Sequence, residues 1–137
     1  MKANMRVCGA TERALLFYRG YLPKFNPIKK DGTKGMVLDW FEYERDGKDV
    51  PKIHPTQKPV KVLKRLIEIF TDPYDVVIDP CFGSGSTARA CQELGRNFYG
   101  FEINKTFYRR AVNEMLLKPD ELPTASAVGE QMTIMNV

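Results

Sequence analysis

The sequence predicts an α/β fold, and three observations carry that prediction. Asp75-Val76-Val77-Ile78-Asp79 is a short β-branched run of the kind that forms a buried parallel strand. A glycine-bearing stretch, DPCFGSGST at 79–87, follows it and leads into a helical pattern. From Asp75 to Leu117 the chain repeats strand, helix, strand, helix, the order that builds a parallel sheet with crossover helices.

Taken in order, the segment from Arg13 to Tyr18, RALLFY, is apolar and aromatic enough for a strand that Gly20 and Pro23 end. Asn26 to Pro51 reads as a long connection, with room for one short strand at the aromatic patch of Trp40, Phe41 and Tyr43. Val60 to Phe70 is an amphipathic helix: Val60, Val62, Leu63, Leu66, Ile67, Ile69 and Phe70 share one side, and Lys61, Lys64, Arg65 and Glu68 the other. Asp72-Pro73 stops it before the Asp75 to Asp79 strand. Thr87 to Leu94 then carries Ala88, Cys91 and Leu94 at helical spacing, with Gly95 supplying a left-handed terminus. A strand from Asn97 to Glu102 follows. Asn104 caps a third helix, in which Phe107 or Tyr108, Ala111, Met115 and Leu116 share a buried side before Pro119. The tail from Asp120 has no readable pattern, so the expected organisation is one domain over residues 1–118 and a tail over 119–137.

The chain has 137 residues, 43% of them hydrophobic, enough for one modest core. No apolar run approaches the roughly 20 residues that span a bilayer, and the N-terminus lacks the apolar core of a secretion signal, so a soluble, cytoplasmic protein with no membrane partner is expected. Cys8, Cys81 and Cys91 lack C-x-x-C spacing and His54 is the one histidine, which leaves no convincing disulfide framework or metal site. The net charge of +4 is compatible with a polyanionic partner and is also common in proteins that never meet one. Lys61, Lys64, Arg65, Arg109 and Arg110 could reach phosphates, but charged, solvated helix faces are the commoner explanation.

Gly83, Gly85 and Ala88 satisfy G-x-G-x-x-G/A, and Glu102 ends the next strand, so a dinucleotide fingerprint fits by spacing. Glu102 can accept hydrogen bonds from both ribose hydroxyls of any adenosine-containing cofactor. Asp79 separates the candidates. A carboxylate beside the loop repels a pyrophosphate, whereas S-adenosylmethionine has no phosphate and carries an ammonium and a sulfonium. At about 4 Å and a near-surface dielectric, one charge pair contributes roughly 4 kcal/mol before desolvation, enough to set ligand preference. The favoured ligand is therefore S-adenosylmethionine. The bland alternative is a tight turn whose glycines serve helix-strand packing, with Asp79 and Glu102 solvated.

A second motif, His54-Pro55-Thr56-Gln57-Lys58-Pro59, stands directly before the amphipathic helix. Thr56 suits an N-cap and Pro59 the first turn, and the exposed N–H groups there could hold a carboxylate such as the methionine end of the cofactor. HPTQKP, a helix, DPCFGSGST and then GFEIN at Gly100 to Asn104 together resemble the DNA amino-methyltransferases that modify adenine N6 or cytosine N4, in the group whose cofactor motifs lie C-terminal to the catalytic motif. ERALLFYRG, from Glu12, extends the resemblance, which reaches about Leu117. It implies a Rossmann-like methyltransferase fold that binds S-adenosylmethionine and acts on double-stranded DNA, as restriction-modification enzymes do. The cofactor-binding residues it implies are Thr56, Gln57 and Lys58; Asp79, Pro80 and Cys81; Phe82, Gly83, Ser84, Gly85, Ser86 and Thr87; and Glu102 with Ile103 at the ribose.

The family's catalytic signature, an Asp, Asn or Ser followed by Pro-Pro and an aromatic residue, does not occur in the sequence. Asp72-Pro73-Tyr74 is one proline short and fits a helix-to-strand turn better. No catalytic residue is therefore identified, and the chain reads as the C-terminal, cofactor-binding half of such an enzyme. Two alternatives remain: a noncatalytic cofactor- or DNA-binding remnant, and a nucleotide-dependent oxidoreductase. A truncated sheet would expose an apolar edge, so a homo-oligomer, most simply a dimer, or a complex with a separately encoded catalytic fragment is expected.

Overall fold

The computed structural model describes residues 11–21, 24–27 and 31–118, together with the strand backbone of 132–136. Its elements are α1 (Val60–Phe70), β1 (Val76–Asp79), α2 (Ser86–Leu94), β2 (Asn97–Glu102), α3 (Lys105–Arg110) and β3 (Met132–Asn136). A single π-helical segment, Ala111–Met115, continues α3. The strands form a parallel sheet in the order β1-β2-β3, with Val76 opposite Asn97 and Phe98 opposite Met132. The α/β expectation from 75 to 117 therefore holds, nearly to the residue.

The core forms where the helices meet one face of this sheet. Phe98, Cys91 and Met115 are completely enclosed, and Ala88, Ala90 and Ala111 let the backbones approach. Burying a side chain the size of Phe98 is worth about 2–3 kcal/mol in transfer free energy. The thiol of Cys91 is pushed up to about 12 by its burial, so it packs as an apolar group. Helix α1 packs against α2, and Lys64 of α1 fastens them by donating to Glu93 of α2 at 2.7 Å. Arg89 donates to the same carboxylate at 2.7 Å, and through a second nitrogen to the Met115 carbonyl at 2.9 Å. One cluster thus ties α1, α2 and the π-helical segment together.

The ends of α1 depart from the sequence expectation. Its N-cap is Pro59, which makes no side-chain cap bond. Thr56 does not cap the helix; its hydroxyl lies 3.0 Å from His54 Nδ1. The cap comes from Asp46, whose carboxylate accepts from the Val60 N–H at 2.8 Å and the Lys61 N–H at 3.4 Å. At the other end, the Asn26 side chain donates to the carbonyls of Thr71 and Glu68 at 2.8 and 3.2 Å. The 26–51 connection is therefore what closes both ends of α1.

Two strand expectations are corrected. Residues 13–18 carry no regular structure, and Leu15 and Phe17 are 76% and 84% exposed. Strand composition alone does not make a strand, because ladder hydrogen bonds need a neighbour and none of the described strands pairs with this segment. No strand forms around Trp40, Phe41 and Tyr43, which are also exposed. Instead the sheet gains β3, from a stretch where the sequence shows no pattern; 119–131 and 137, the rest of the expected tail, lie outside the described residues. Among the described residues, no helix is long and apolar enough to cross a membrane.

Two outcomes test this packing. Gly85 sits at φ 82°, and a Cβ there would lie 3.1 Å from both Ala111 Cβ and the Phe82 ring. Gly85→Ala is expected to destabilise the fold by about 2 kcal/mol in urea unfolding, combining left-handed strain with the contact. Burial pushes the Glu93 carboxyl up, but the hydrogen bonds from Lys64 and Arg89 outweigh it and hold the group below its ordinary value of 4.5. Its contribution is then present above that value and is lost as pH falls through the depressed folded one. Glu93→Gln should lower stability at neutral pH and flatten the acid limb of the stability profile, measured by unfolding from pH 7 downward.

Candidate functional site

The site is built at the carboxyl ends of β1 and β2, the edge of a parallel sheet where ligands bind. Strand β1 ends at Asp79, which has both carboxylate oxygens engaged: Oδ1 accepts from the Cys81 N–H at 2.9 Å, and Oδ2 from the Thr87 hydroxyl at 2.7 Å. These bonds fold the chain back over the strand end and fix the start of α2. Between them the Gly85 N–H donates to the Phe82 carbonyl at 2.9 Å, closing a tight turn.

Strand β2 grips the same turn. The Phe82 N–H donates to the Phe101 carbonyl at 2.9 Å. Glu102, only 9% exposed, accepts from the Gly83 N–H through Oε2 and from the Asn104 N–H through Oε1, each at 2.7 Å. Asn104 then caps α3 by accepting from the N–H groups of Thr106 and Phe107. Glu102 thus joins the glycine turn, the end of β2 and the start of α3.

The two glycines have different work. Gly85 is packing-limited by Ala111, Phe82 and Met115. Gly83, at φ 54°, has only the Cys81 carbonyl oxygen, at 3.6 Å, near the place of a Cβ. Gly83 is therefore where a ligand can approach the backbone closely. The Phe82 ring points the other way: it is 3% exposed and stacks obliquely on Phe98 at 5.8 Å, so Phe82 can offer a ligand its backbone but not its ring. Ser84 and Ser86 are buried with their hydroxyls 3.0 Å apart. Pro80, Cys81 and Ile103 are exposed around the turn.

The HPTQKP turn is held elsewhere. Gln57 braces it from within, accepting from the Ile53 N–H at 2.9 Å and donating to the Pro51 carbonyl at 3.0 Å. His54 meets the Phe107 ring edge-on at 4.7 Å, and Arg110 donates to the Ile53 carbonyl at 3.2 Å, so the turn docks on α3. Lys58 pairs at the surface with Glu12 at 2.9 Å. None of these bonds reaches the glycine turn. The N-terminus of α1, expected to receive a cofactor carboxylate, already receives Asp46. No local pattern marks Asp46 as the cap, because it stands fourteen residues from the helix it closes.

Asp72-Pro73-Tyr74 lies at the amino end of β1, opposite the glycine turn. Asp72 pairs with Lys24 at 2.9 Å and receives Asn26, and the Lys24 hydrogen bond, with Asn26, holds its carboxyl below the usual range. The segment is a helix-to-strand turn. A cavity of about 1310 Å³ is also remote from the glycine turn: it lies over the polar face of α1, between Lys61 or Arg65 and the exposed Trp40 and Phe41. Acidic and basic groups both line it, with Glu42, Glu44 and Glu68 opposing the cations. We place the site at the turn because two carboxylates and an open glycine converge there. Of the helix cations that could have met phosphate, Lys64 is bound to Glu93 and Arg110 to Glu114. Among the described residues, no group of three or more His, Cys, Asp or Glu could hold a metal ion.

Comparison with known proteins points to one family. A family model described as DNA methylase, of the N6 and N4 type, matches residues 9–113. The type II methyltransferase M.BglII of Bacillus subtilis is 38% identical over 81 residues, covering 59% of this chain and 22% of that protein. The DNA adenine methyltransferase YhdJ of Escherichia coli is 36% identical over 105 residues, covering 77% of this chain and 35% of its own length. A crystal structure of an M1.HpyAVI–SAM complex aligns with 64% of this chain and 42% of its own, at 36% identity and a TM-score of 0.49. The chain therefore spans about a fifth to a third of the curated relatives it matches. With the family model covering most of its length and the glycine turn, HPTQKP and GFEIN motifs in family order, the chain belongs to the DNA amino-methyltransferases, and its α/β sheet is part of a methyltransferase fold.

Proposed function

We propose that this chain forms the S-adenosylmethionine-holding part of a site-specific DNA methyltransferase acting on adenine N6 or cytosine N4. The observation that carries the reading is the pair of carboxylates, Asp79 and Glu102, at the ends of adjacent parallel strands, clasping a turn that is open at Gly83. When bound, the cofactor supplies a methyl group for transfer to the exocyclic amine of a base turned out of the duplex. This chain's residues do the work of holding that cofactor.

Glu102 is aimed by two backbone N–H groups, at the carboxyl end of β2 beside the open Gly83. It is the proposed partner of the ribose hydroxyls, with exposed Ile103 beside it against the base. Asp79 places negative charge at the turn, which favours a cationic sulfonium or ammonium and disfavours a pyrophosphate; this supports S-adenosylmethionine over a dinucleotide. The backbone from Pro80 to Thr87 forms the wall between them. Of the HPTQKP residues, Gln57 is occupied bracing its own turn. Thr56 and Lys58, exposed and paired with His54 and Glu12, are the groups proposed for the methionine end.

The family's proline-proline-aromatic signature is not in the sequence, so the reading assigns cofactor binding to this chain and the reacting-base contacts to another polypeptide region. Double-stranded DNA is the proposed substrate, and the cytoplasm, where DNA and cofactor meet, the proposed compartment. Calorimetry with S-adenosylmethionine, S-adenosylhomocysteine and NAD tests the ligand, and binding of NAD alone would replace the reading with an oxidoreductase. Glu102→Ala should weaken S-adenosylmethionine binding by about 1.5–3 kcal/mol, since a charged acceptor is lost; unchanged affinity in a folded variant removes Glu102 from the site. Asp79→Asn should also impair binding in the same titration, and normal affinity would end the charge argument against a dinucleotide.

A further inference from the structure

The proposed ribose partner and the groups proposed for the methionine end stand on different segments, and one chain of contacts joins them. Glu102 accepts from the Asn104 N–H at 2.7 Å, and the Asn104 side chain accepts in turn from the Phe107 N–H at 3.2 Å. The Phe107 ring meets the His54 ring edge-on, with centroids 4.7 Å apart. His54 Nδ1 then accepts from the Thr56 N–H at 3.2 Å and lies 3.0 Å from the Thr56 hydroxyl. The backbone on either side of this histidine is held by other groups. Ile53 is 4% exposed and its carbonyl receives Arg110, while the His54 carbonyl receives the Gln57 N–H at 3.2 Å.

A backbone N–H can only donate, so Nδ1 is the acceptor and the ring proton sits on Nε2. The Thr56 hydroxyl, facing the same lone pair, donates as well. The arrangement is that of an Asx turn with an imidazole nitrogen in place of the asparagine oxygen. An exposed threonine otherwise exchanges among staggered rotamers, so the ring selects one direction for this hydroxyl. We infer that His54 is a positioning residue for cofactor binding, which fixes Thr56 and the turn carrying Lys58 at a set place relative to Glu102. The inference rests on the proposed function and deepens it. The methionine end of S-adenosylmethionine then meets groups already aligned with the ribose end, and His54 acts through Thr56 and Phe107 without touching the ligand.

Two measurements on the full chain test this. His54 is the one histidine, so its ring nitrogens give isolated NMR signals in isotope-labelled protein. At mildly alkaline pH, where an imidazole is neutral, the expected spectrum has the proton on Nε2; a proton on Nδ1 overturns the inference. The second is calorimetric titration with S-adenosylmethionine and with methylthioadenosine, which keeps the adenosine and lacks the methionine end. His54→Phe keeps a ring against Phe107 and removes the acceptor, so it should weaken S-adenosylmethionine about three- to tenfold and leave methylthioadenosine within about twofold. Circular dichroism checks the fold, and His54→Leu serves if the phenylalanine variant does not fold. Equal loss for the two ligands, the mark of a merely structural role, or no loss for either, overturns the inference. Glu102→Ala keeps the two readings apart, because it should weaken both ligands. If it does so while His54→Phe changes neither, the cofactor site stands and only the role of His54 falls. If the wild-type chain binds neither ligand, the proposed function falls and the inference with it.

Discussion

The structure hinges on one buried carboxylate. Glu102 receives the N–H groups of Gly83 and Asn104 on its two oxygens, and those donors belong to two different segments. A left-handed glycine turn and a helix start both leave backbone N–H groups facing away from regular ladders. A single charged acceptor between them satisfies both, and charge-assisted bonds of this length are among the stronger ones. The spatial relation between the β1 loop and the β2 end, on which the site depends, therefore rests on this side chain together with the bond from the Phe82 N–H to the Phe101 carbonyl.

Core and site are not separable layers. Phe82 belongs to the loop by position and to the core by packing, against Phe98 and under Gly85. Gly85 is pressed from the other side by Ala111 and Met115 of the π-helical segment, whose last carbonyl receives Arg89 of α2. Wider π-helical turns are frequent beside functional sites; this one sets two buried side chains against a glycine with little room for a Cβ. The turn is thereby held from below by apolar contact and from the sides by Asp79 and Glu102, and only Gly83 is left open. Rigid support on three sides is what a binding loop requires if its geometry is to exist before the ligand arrives.

Family membership and the open β1 face describe the same molecule from two directions. The matched region is a small part of each relative, and among the described residues the helices pack on one face of the sheet, with Val76 and Ile78 exposed on the other. The turn, its carboxylates and the α1–α2 pair are nonetheless tied into one local structure, with the 26–51 connection closing the ends of α1 and Arg89 bonded to Met115.

What the sequence determined by itself is the run from α1 to α3. Periodicity fixed α1, β-branched residues and glycine punctuation fixed β1, the turn and α2, and Asn104 announced α3, because each of these signals lies within a few residues of the element it specifies. The motifs also identified the family, since DPCFGSGST and GFEIN hold the residues that must meet across one strand spacing. Tertiary structure decided the rest. Asp46 capping α1, Asn26 closing its far end, Phe82 turning inward and Gln57 bracing its own loop all join residues far apart in the chain or choose between two directions for one side chain. Composition could not reveal that residues 13–18 lack a partner or that Met132–Asn136 pairs with β2, because a strand exists only where another backbone offers its hydrogen bonds.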